Sequence, residues 1–109
     1  PAISNKAKSK IRETIRGWRI HLITWTSLGK IAEKVNPVLR GWYQYYGRFY
    51  KSEMYPVLRN VERYLVLWAR RKYKKLARHG QKARKYLGGV CKREPGLFVH
   101  WEMGLGSAD

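Results

Sequence analysis

Acidic residues are scarce in this chain. Seven Asp and Glu stand against 24 Lys and Arg, a formal net charge of +17. A compact molecule with that imbalance repels itself, so a polyanionic partner is expected: nucleic acid first, an anionic membrane surface second. Cysteine is almost missing. Cys91 stands alone, which excludes an internal disulfide, fits a reducing compartment and suggests a small buried filler. No apolar run approaches the ~18–20 residues that a membrane span requires. The basic N-terminal stretch has no apolar segment behind it, so it does not read as a signal peptide. The chain opens Pro1-Ala2-Ile3 without Met, and a fragment of a longer protein is expected.

Clustered carboxylates are lacking too. Glu13, Glu33, Glu53, Glu62, Glu94 and Glu102 are scattered, with no close pair for acid–base work or for holding divalent metals. His21, His79, His100 and Cys91 show neither C-x-x-C nor H-x-x-x-H spacing. There is no P-loop and no dinucleotide glycine fingerprint. The chain is therefore not expected to be an enzyme or to hold a metal or cofactor.

What is present is apolar and aromatic. Hydrophobic residues make up 44%, with five Trp and eight Tyr, enough for a folded core rather than a solvated basic arm. Ser4 is a suitable N-cap. Behind it Ile3, Ala7, Ile11, Ile15, Trp18 and Leu22 recur at helical spacing. Lys8, Arg12, Arg16 and Arg19 line the adjoining flank. Thr24 to Ser27 reads as a turn, with Ser27 capping a short helix that buries Leu28, Ile31, Ala32 and Val35. Asn36-Pro37 then pairs a favoured N-cap with a favoured first helical residue, so a new helix is expected there. Its inner face would be Val38, Trp42, Tyr46 and Phe49 or Tyr50, and its outer stripe Arg40, Gln44, Arg48 and Lys51. Tyr45 is one position out of core phase and is left open. Gly41 is read as permitting close helix approach. Ser52-Glu53 opens a further helix with Pro56 in its first turn. Met54, Val57, Leu58, Val61, Leu65, Trp68 and Leu76 form its apolar side, and Gly80 stops it. A last helix runs from about Gln81 to Cys91, with Ala83, Tyr86, Leu87 and Val90 inward. Leu97 to Trp101 alternates and suggests an extended segment docked on the bundle, and the chain from Gly104 onward is expected to be loose. The fold expected is all-α: one domain over residues 1–109, a bundle of about four to five helices with a short extended C-terminal tail.

Charge is uneven along the chain. From Arg63 to Arg93 there are twelve basic residues and no acid. Tyr64, Trp68, Tyr73 and Tyr86 sit among them, and aromatic faces beside cations suit RNA or single strands. Trp68 and Tyr64 fall in core phase. Tyr73 falls on the charged side and is the better stacking candidate. The stripe Lys8, Arg12, Arg16, Arg19 is either a solvated flank or a nucleic-acid contact; its single sign favours contact.

Asn36-Pro37, Arg40-Gly41-Trp42 and Tyr45-Tyr46 together resemble the signature of the maturase-specific region of group II intron reverse transcriptases. Trp68-Ala69-Arg70-Arg71-Lys72-Tyr73 resembles a basic helix of that family. Pro95-Gly96-Leu97-Phe98-Val99-His100-Trp101 looks like its closing motif. The first helix, entered through Ile3-Ser4, resembles the segment just after that family's polymerase palm. The three motifs stand in the family's order, and the whole resemblance covers about residues 3–104. The resemblance implies the thumb, or domain X, that follows a reverse-transcriptase palm. Such a region binds intron RNA, grips the template–primer duplex, packs on the palm, and supports splicing and retrohoming in the bacterial cytoplasm. The polymerase motif Tyr-Ala-Asp-Asp is absent here, and the divalent metal, Mg by expectation, would belong to the parent's palm. On this reading Lys8, Arg12, Arg16 and Arg19 face template–primer. Arg70, Arg71, Lys72, Tyr73, Lys74, Lys75, Arg78, Lys82, Arg84 and Lys85 hold intron RNA or the duplex backbone, and Arg40 and Arg48 are outward contacts. Asn36, Pro37, Gly41, Trp42, Tyr45, Tyr46, Trp68, Phe98, His100 and Trp101 are scaffold. The rival reading is a stand-alone basic helical DNA-binding regulator. It is disfavoured because the helix after Ser27 looks too short, ending at Pro37, to serve as a recognition helix.

Overall fold

The computed structural model describes residues 3–107, apart from the side chains of residues 48–50. Every regular element among them is helical, as an all-α bundle requires. Helix α1 (Asn5–Gly17) starts where expected: Ser4 Oγ accepts from the Ala7 N–H at 3.1 Å. Ile3, Ile11 and Ile15 are buried along its inner face. The helix ends sooner than the apolar stripe suggested. Arg19 adopts a left-handed backbone, φ 50° and ψ 44°, which no α-helix can continue. A 3-10 turn over Ile20–Leu22 follows, burying Ile20 and leaving Leu22 outside.

Ser27 caps α2 (Leu28–Trp42), accepting from the Lys30 N–H at 3.2 Å. This helix does not stop at Asn36. It runs through Pro37, then through a π-helical turn (Tyr43–Gly47) into α3 (Arg48–Lys72), which contains Pro56. The expected helix starts at Asn36 and Ser52 are both absent. An interior proline costs about 3 kcal/mol, but apolar side chains are buried on both sides of each one. Leu28, Ile31, Ala32, Val35 and Leu39 flank Pro37; Met54, Val57, Leu58 and Val61 flank Pro56. Packing outweighs the local signal. Because α2 begins at Leu28, its phase makes Leu39 the fully buried residue and leaves Val38 half-buried.

A straight helix from Leu28 to Lys72 would be roughly 66 Å long, whereas the molecule extends 45 × 26 × 23 Å. The run therefore bends, and the π turn is where its regular hydrogen bonding changes. Gly47 is what that turn needs. A Cβ there would meet the Tyr43 ring at 2.7 Å, whereas one at Gly41 would meet nothing within 4 Å. The close-packing glycine is Gly47, not Gly41.

Helix α3 is the axis of the bundle, and α1, the 20–22 turn, α4 (Gly80–Arg93) and the single-turn α5 (Val99–Glu102) all pack on it. It ends at Lys72, eight residues before the expected stop, and Gly80 opens α4 instead. Leu76 lies in a separate 3-10 turn (Lys74–Leu76), half-buried. The C-terminal segment docks as expected, but as a helical turn with Phe98, Val99, His100 and Trp101 all buried. Nor is the chain loose from Gly104 to Ser107: Leu105 is buried, and Gly106 lies beneath Trp101 and Cys91. Residues 108 and 109 lie outside the described residues.

Two polar devices fasten this end. Asn36 caps after all, but it caps α5 rather than its own helix. Its Oδ1 accepts from the Val99 N–H at 3.1 Å and its Nδ2 donates to the Leu97 carbonyl at 2.9 Å. Glu62, buried on α3, receives the rest. Its Oε1 accepts from His100 Nε2 and Trp101 Nε1, each at 2.7 Å, and its Oε2 from the Ser107 N–H at 3.1 Å and from the Ser107 hydroxyl. The ionised carboxylate sets the tautomer in which Nε2 of His100 carries the proton. Burial opposes the charge on Glu62, but the hydrogen bonds from His100, Ser107 and Trp101 outweigh it and hold the carboxyl below the usual carboxylate range.

A carboxyl lowered in the folded state contributes stability above its unfolded pKa of about 4.3 and loses it as pH falls through the folded value. Glu53, half-buried and lowered by Lys8 and the Ile3 N–H, acts in the same direction. Thermal melts from pH 7 to pH 3 should therefore show a steep acid limb. Glu62→Gln should lose about 2–4 kcal/mol at neutral pH, because its amide turns a donor toward Ser107. It should also flatten part of the acid limb. A variant that melts like the wild-type chain across that range would refute the role of Glu62.

Candidate nucleic-acid interface

The first candidate face is the flank of α1. Arg12, Arg16 and Arg19 are exposed along it. Lys8 is not available in the same way: its Nζ is 3.0 Å from Glu53 Oε1, and Glu53 also accepts from the Ile3 N–H at 3.1 Å. Lys8 thus ties α1 to α3. Arg19 lies past the helix end, and its left-handed backbone turns the chain.

The second face begins at the C-terminus of α3, where cations suit the helix dipole. Arg70, Arg71 and Lys72 occupy its last turn, and Tyr73 follows in extended conformation. Two of the expected contacts also bond within the fold. Lys72 Nζ donates to the Thr24 and Thr26 carbonyls at 2.9 and 2.8 Å and lies 5.1 Å from the Trp68 ring. Arg70 donates through Nε and Nη2 to the Ala77 carbonyl at 3.2 and 3.0 Å, closing the turn between α3 and α4. Arg71, Lys74, Lys75, Arg78, Lys82, Arg84 and Lys85 are exposed. None of them has a carboxylate within ion-pair distance among the described residues.

Tyr73 is only at the edge of exposure. Its ring meets Trp68 and Tyr86 edge-on, with centroids 6.1 and 5.2 Å apart, and the two tyrosine hydroxyls are 3.3 Å apart. Burial and that hydrogen bond push the Tyr86 hydroxyl up to about 12. Trp68 is buried, and its Nε1 donates to the Ile23 carbonyl at 3.1 Å. Two other rings are far more open: Trp25, 80% exposed, and Tyr45, 75% exposed. Trp25 was overlooked in a segment read only as a turn. The turn is held down by Lys72 and Trp68, which leaves its indole outside. Tyr45 lies on the π turn, edge-on to Tyr46 at 4.7 Å.

The signature residues divide between scaffold and surface. Asn36 bonds to the C-terminal turn. Trp42 stacks on Trp18 with centroids 5.9 Å apart, and Tyr46 is half-buried against the core. Pro37, Arg40 and Gly41 are exposed. Phe98 packs edge-on against Trp101 at 4.9 Å. The side chain of Arg48 lies outside the described residues. Arg59 and Arg63 on α3 are exposed cations that the sequence reading passed over. Arg59 precedes the uninterrupted basic run, Arg63 begins it, and Glu62 lies between them in sequence.

No group of three or more His, Cys, Asp or Glu that could hold a metal ion occurs among the described residues. No described helix is long and apolar enough to cross a membrane.

Two substitutions separate structural cations from surface ones. Lys72→Ala should destabilise the chain by about 1.5–3 kcal/mol, since it leaves two carbonyls without their charged donor. Lys74→Ala and Lys75→Ala should each stay within about 0.5 kcal/mol. Equal effects in chemical denaturation would overturn the distinction. Arg19→Gly should add about 0.5–1 kcal/mol by relieving the left-handed strain, whereas Arg19→Ala keeps the strain and should add nothing. A destabilised glycine variant would count against strain at this site.

A family model for the group II intron maturase-specific domain matches residues 8–87. Searches of curated proteins and of solved structures returned no match. The matched region takes in α1, α2, the π turn, α3 and the first half of α4, with the Asn36–Tyr46 signature at its centre. The chain belongs to the group II intron maturase-specific domain family.

Proposed function

We propose that this maturase-specific domain binds group II intron RNA and, as the thumb of a longer reverse transcriptase, also grips template–primer duplex, thereby supporting splicing and retrohoming. One observation carries the reading. The exposed cations on the α1 flank and from Arg71 to Lys85 face no carboxylate among the described residues, in a chain of net charge +17. Such faces neutralise phosphates and release condensed counterions. Arg12, Arg16 and Arg19 are assigned to template–primer and the Arg71–Lys85 surface to intron RNA. Arg40 is assigned to RNA or to the adjoining palm. Polymerase chemistry and its divalent metal are assigned to that palm.

A DNA-binding regulator is the competing reading. Helix α2 is longer than the sequence suggested, but the connection from Gly17 to Leu28 is far longer than the ~3–4 residues of a helix-turn-helix. Filter binding of a group II intron transcript against a duplex DNA competitor, at fixed salt, decides between them. The transcript should win, and log K should fall steeply with log salt. Lys74→Ala/Lys75→Ala should weaken binding and lower that slope by about 1.5 units. Preference for the DNA duplex would overturn the proposal.

A further inference from the structure

Two guanidinium groups converge over Gly80 with no carboxylate between them. A Cβ at Gly80 would lie 3.8 Å from Nη1 of Arg70 and 3.8 Å from Nη1 of Arg84. Like charges that meet over one residue repel. Arg70 is held there by its Nε and Nη2 bonds to the Ala77 carbonyl, which leave Nη1 facing the glycine. Arg84 has no carboxylate partner among the described residues.

The convergence forms one end of a cleft of about 780 Å³, which Arg59 and Arg63 line from α3 and Gly104 to Ser107 from the C-terminal segment. Residues 59, 63, 66, 67 and 70 recur at helical spacing, so one face of α3 supplies the long wall. Arg63 lies with its guanidinium carbon 5.3 Å from the Tyr64 ring centroid, a cation–π contact that restricts it. The acid in the cleft wall is Glu62, and its two oxygens already accept from His100, Trp101 and Ser107. Four arginines therefore border a cleft whose carboxylate is turned to the interior.

Resting on the RNA-binding reading, we propose that this cleft is a phosphate clamp for an RNA strand. Arg70 and Arg84 hold one phosphate over Gly80, and Arg59 and Arg63 hold its neighbours along α3. Guanidinium forks match phosphate oxygens bidentately, which lysine cannot do. The absent side chain at Gly80 leaves the room the phosphate occupies. In sequence, Arg70 and Arg84 bracket the exposed cations Arg71, Lys74, Lys75, Arg78 and Lys82, with no acid among them.

Gly80→Asp tests this directly, because it places a carboxylate where the phosphate would sit. Gly80 does not have a positive φ, and an acid in the first turn of α4 favours the helix. The variant should melt at a higher temperature than the wild-type chain and yet bind a group II intron transcript at least tenfold more weakly. Gln81→Glu, one residue away and of equal charge, should weaken binding no more than about twofold. Arg63→Lys/Arg84→Lys keeps the charge and should still lose several-fold, whereas Lys6→Ala/Lys10→Ala on α1 should lose less despite removing two charges. If Gly80→Asp and Gln81→Glu bind alike while the wild-type chain binds RNA, the clamp is wrong and the RNA reading stands. If the wild-type chain shows no salt-sensitive RNA binding, both are wrong. Competition by polyglutamate that depends on the same arginines and exceeds competition by RNA would assign the cleft to an acidic protein and overturn the clamp.

Discussion

The buried carboxylate of Glu62 joins the middle of the axial helix to the last described residues of the chain, and the C-terminal third depends on that junction. A lone charge in an apolar interior is costly unless its acceptor sites are filled. Here an imidazole, an indole, a backbone amide and a hydroxyl fill them, all from residues 100–107. The tail is thereby fixed in position and register, and Phe98, Val99, Trp101 and Leu105 reach the core. In so basic a chain, an acid whose oxygens all accept from residues 100–107 also forms no ion pair with the arginines beside it. The same group closes the fold and leaves the arginine-lined cleft beside it cationic.

Cations do two kinds of work in this molecule. Lys8 and Lys72 join elements distant in sequence, through a carboxylate or through backbone carbonyls, and Arg70 closes the turn between neighbouring helices. Helix ends and turns carry unsatisfied carbonyls, and long basic side chains reach them while their stems cover apolar surface. The remaining cations stay at the surface, where mutual repulsion favours any state in which phosphates intervene. Charge density alone does not separate the two classes. Lys72 and Lys74 lie two residues apart and differ entirely in what they touch.

The fold class was legible because helical periodicity and the caps at Ser4 and Ser27 are local signals, and both caps form as read. The element boundaries were not. Pro37 and Pro56 are strong local signs of a helix start, yet burial on both sides of each overrode them. Asn36 was recognised as a capping residue, but its target lies more than sixty residues away, beyond the reach of any local rule. The early end of α1 depends on the backbone of Arg19, a residue type that gives no sign of a left-handed turn. On the candidate interface, a run of like charge marks a basic region, but it could not say that Arg70 and Lys72 bond to backbone carbonyls. Arg59 and Arg63 were missed because an acid between them hid their membership of the same face. Trp25 and Tyr45 were hard to place because aromatic residues are read first as core.

The family match ends within α4, at residue 87, but the mechanical unit does not end there. The partners of Asn36 and of Glu62 all lie beyond that point, as do Phe98, Trp101 and Leu105. A piece trimmed to the matched span would keep the recognisable signature and lose what holds it. The boundary of recognition and the boundary of cooperative folding are different places in this chain, and the second decides where it can be cut.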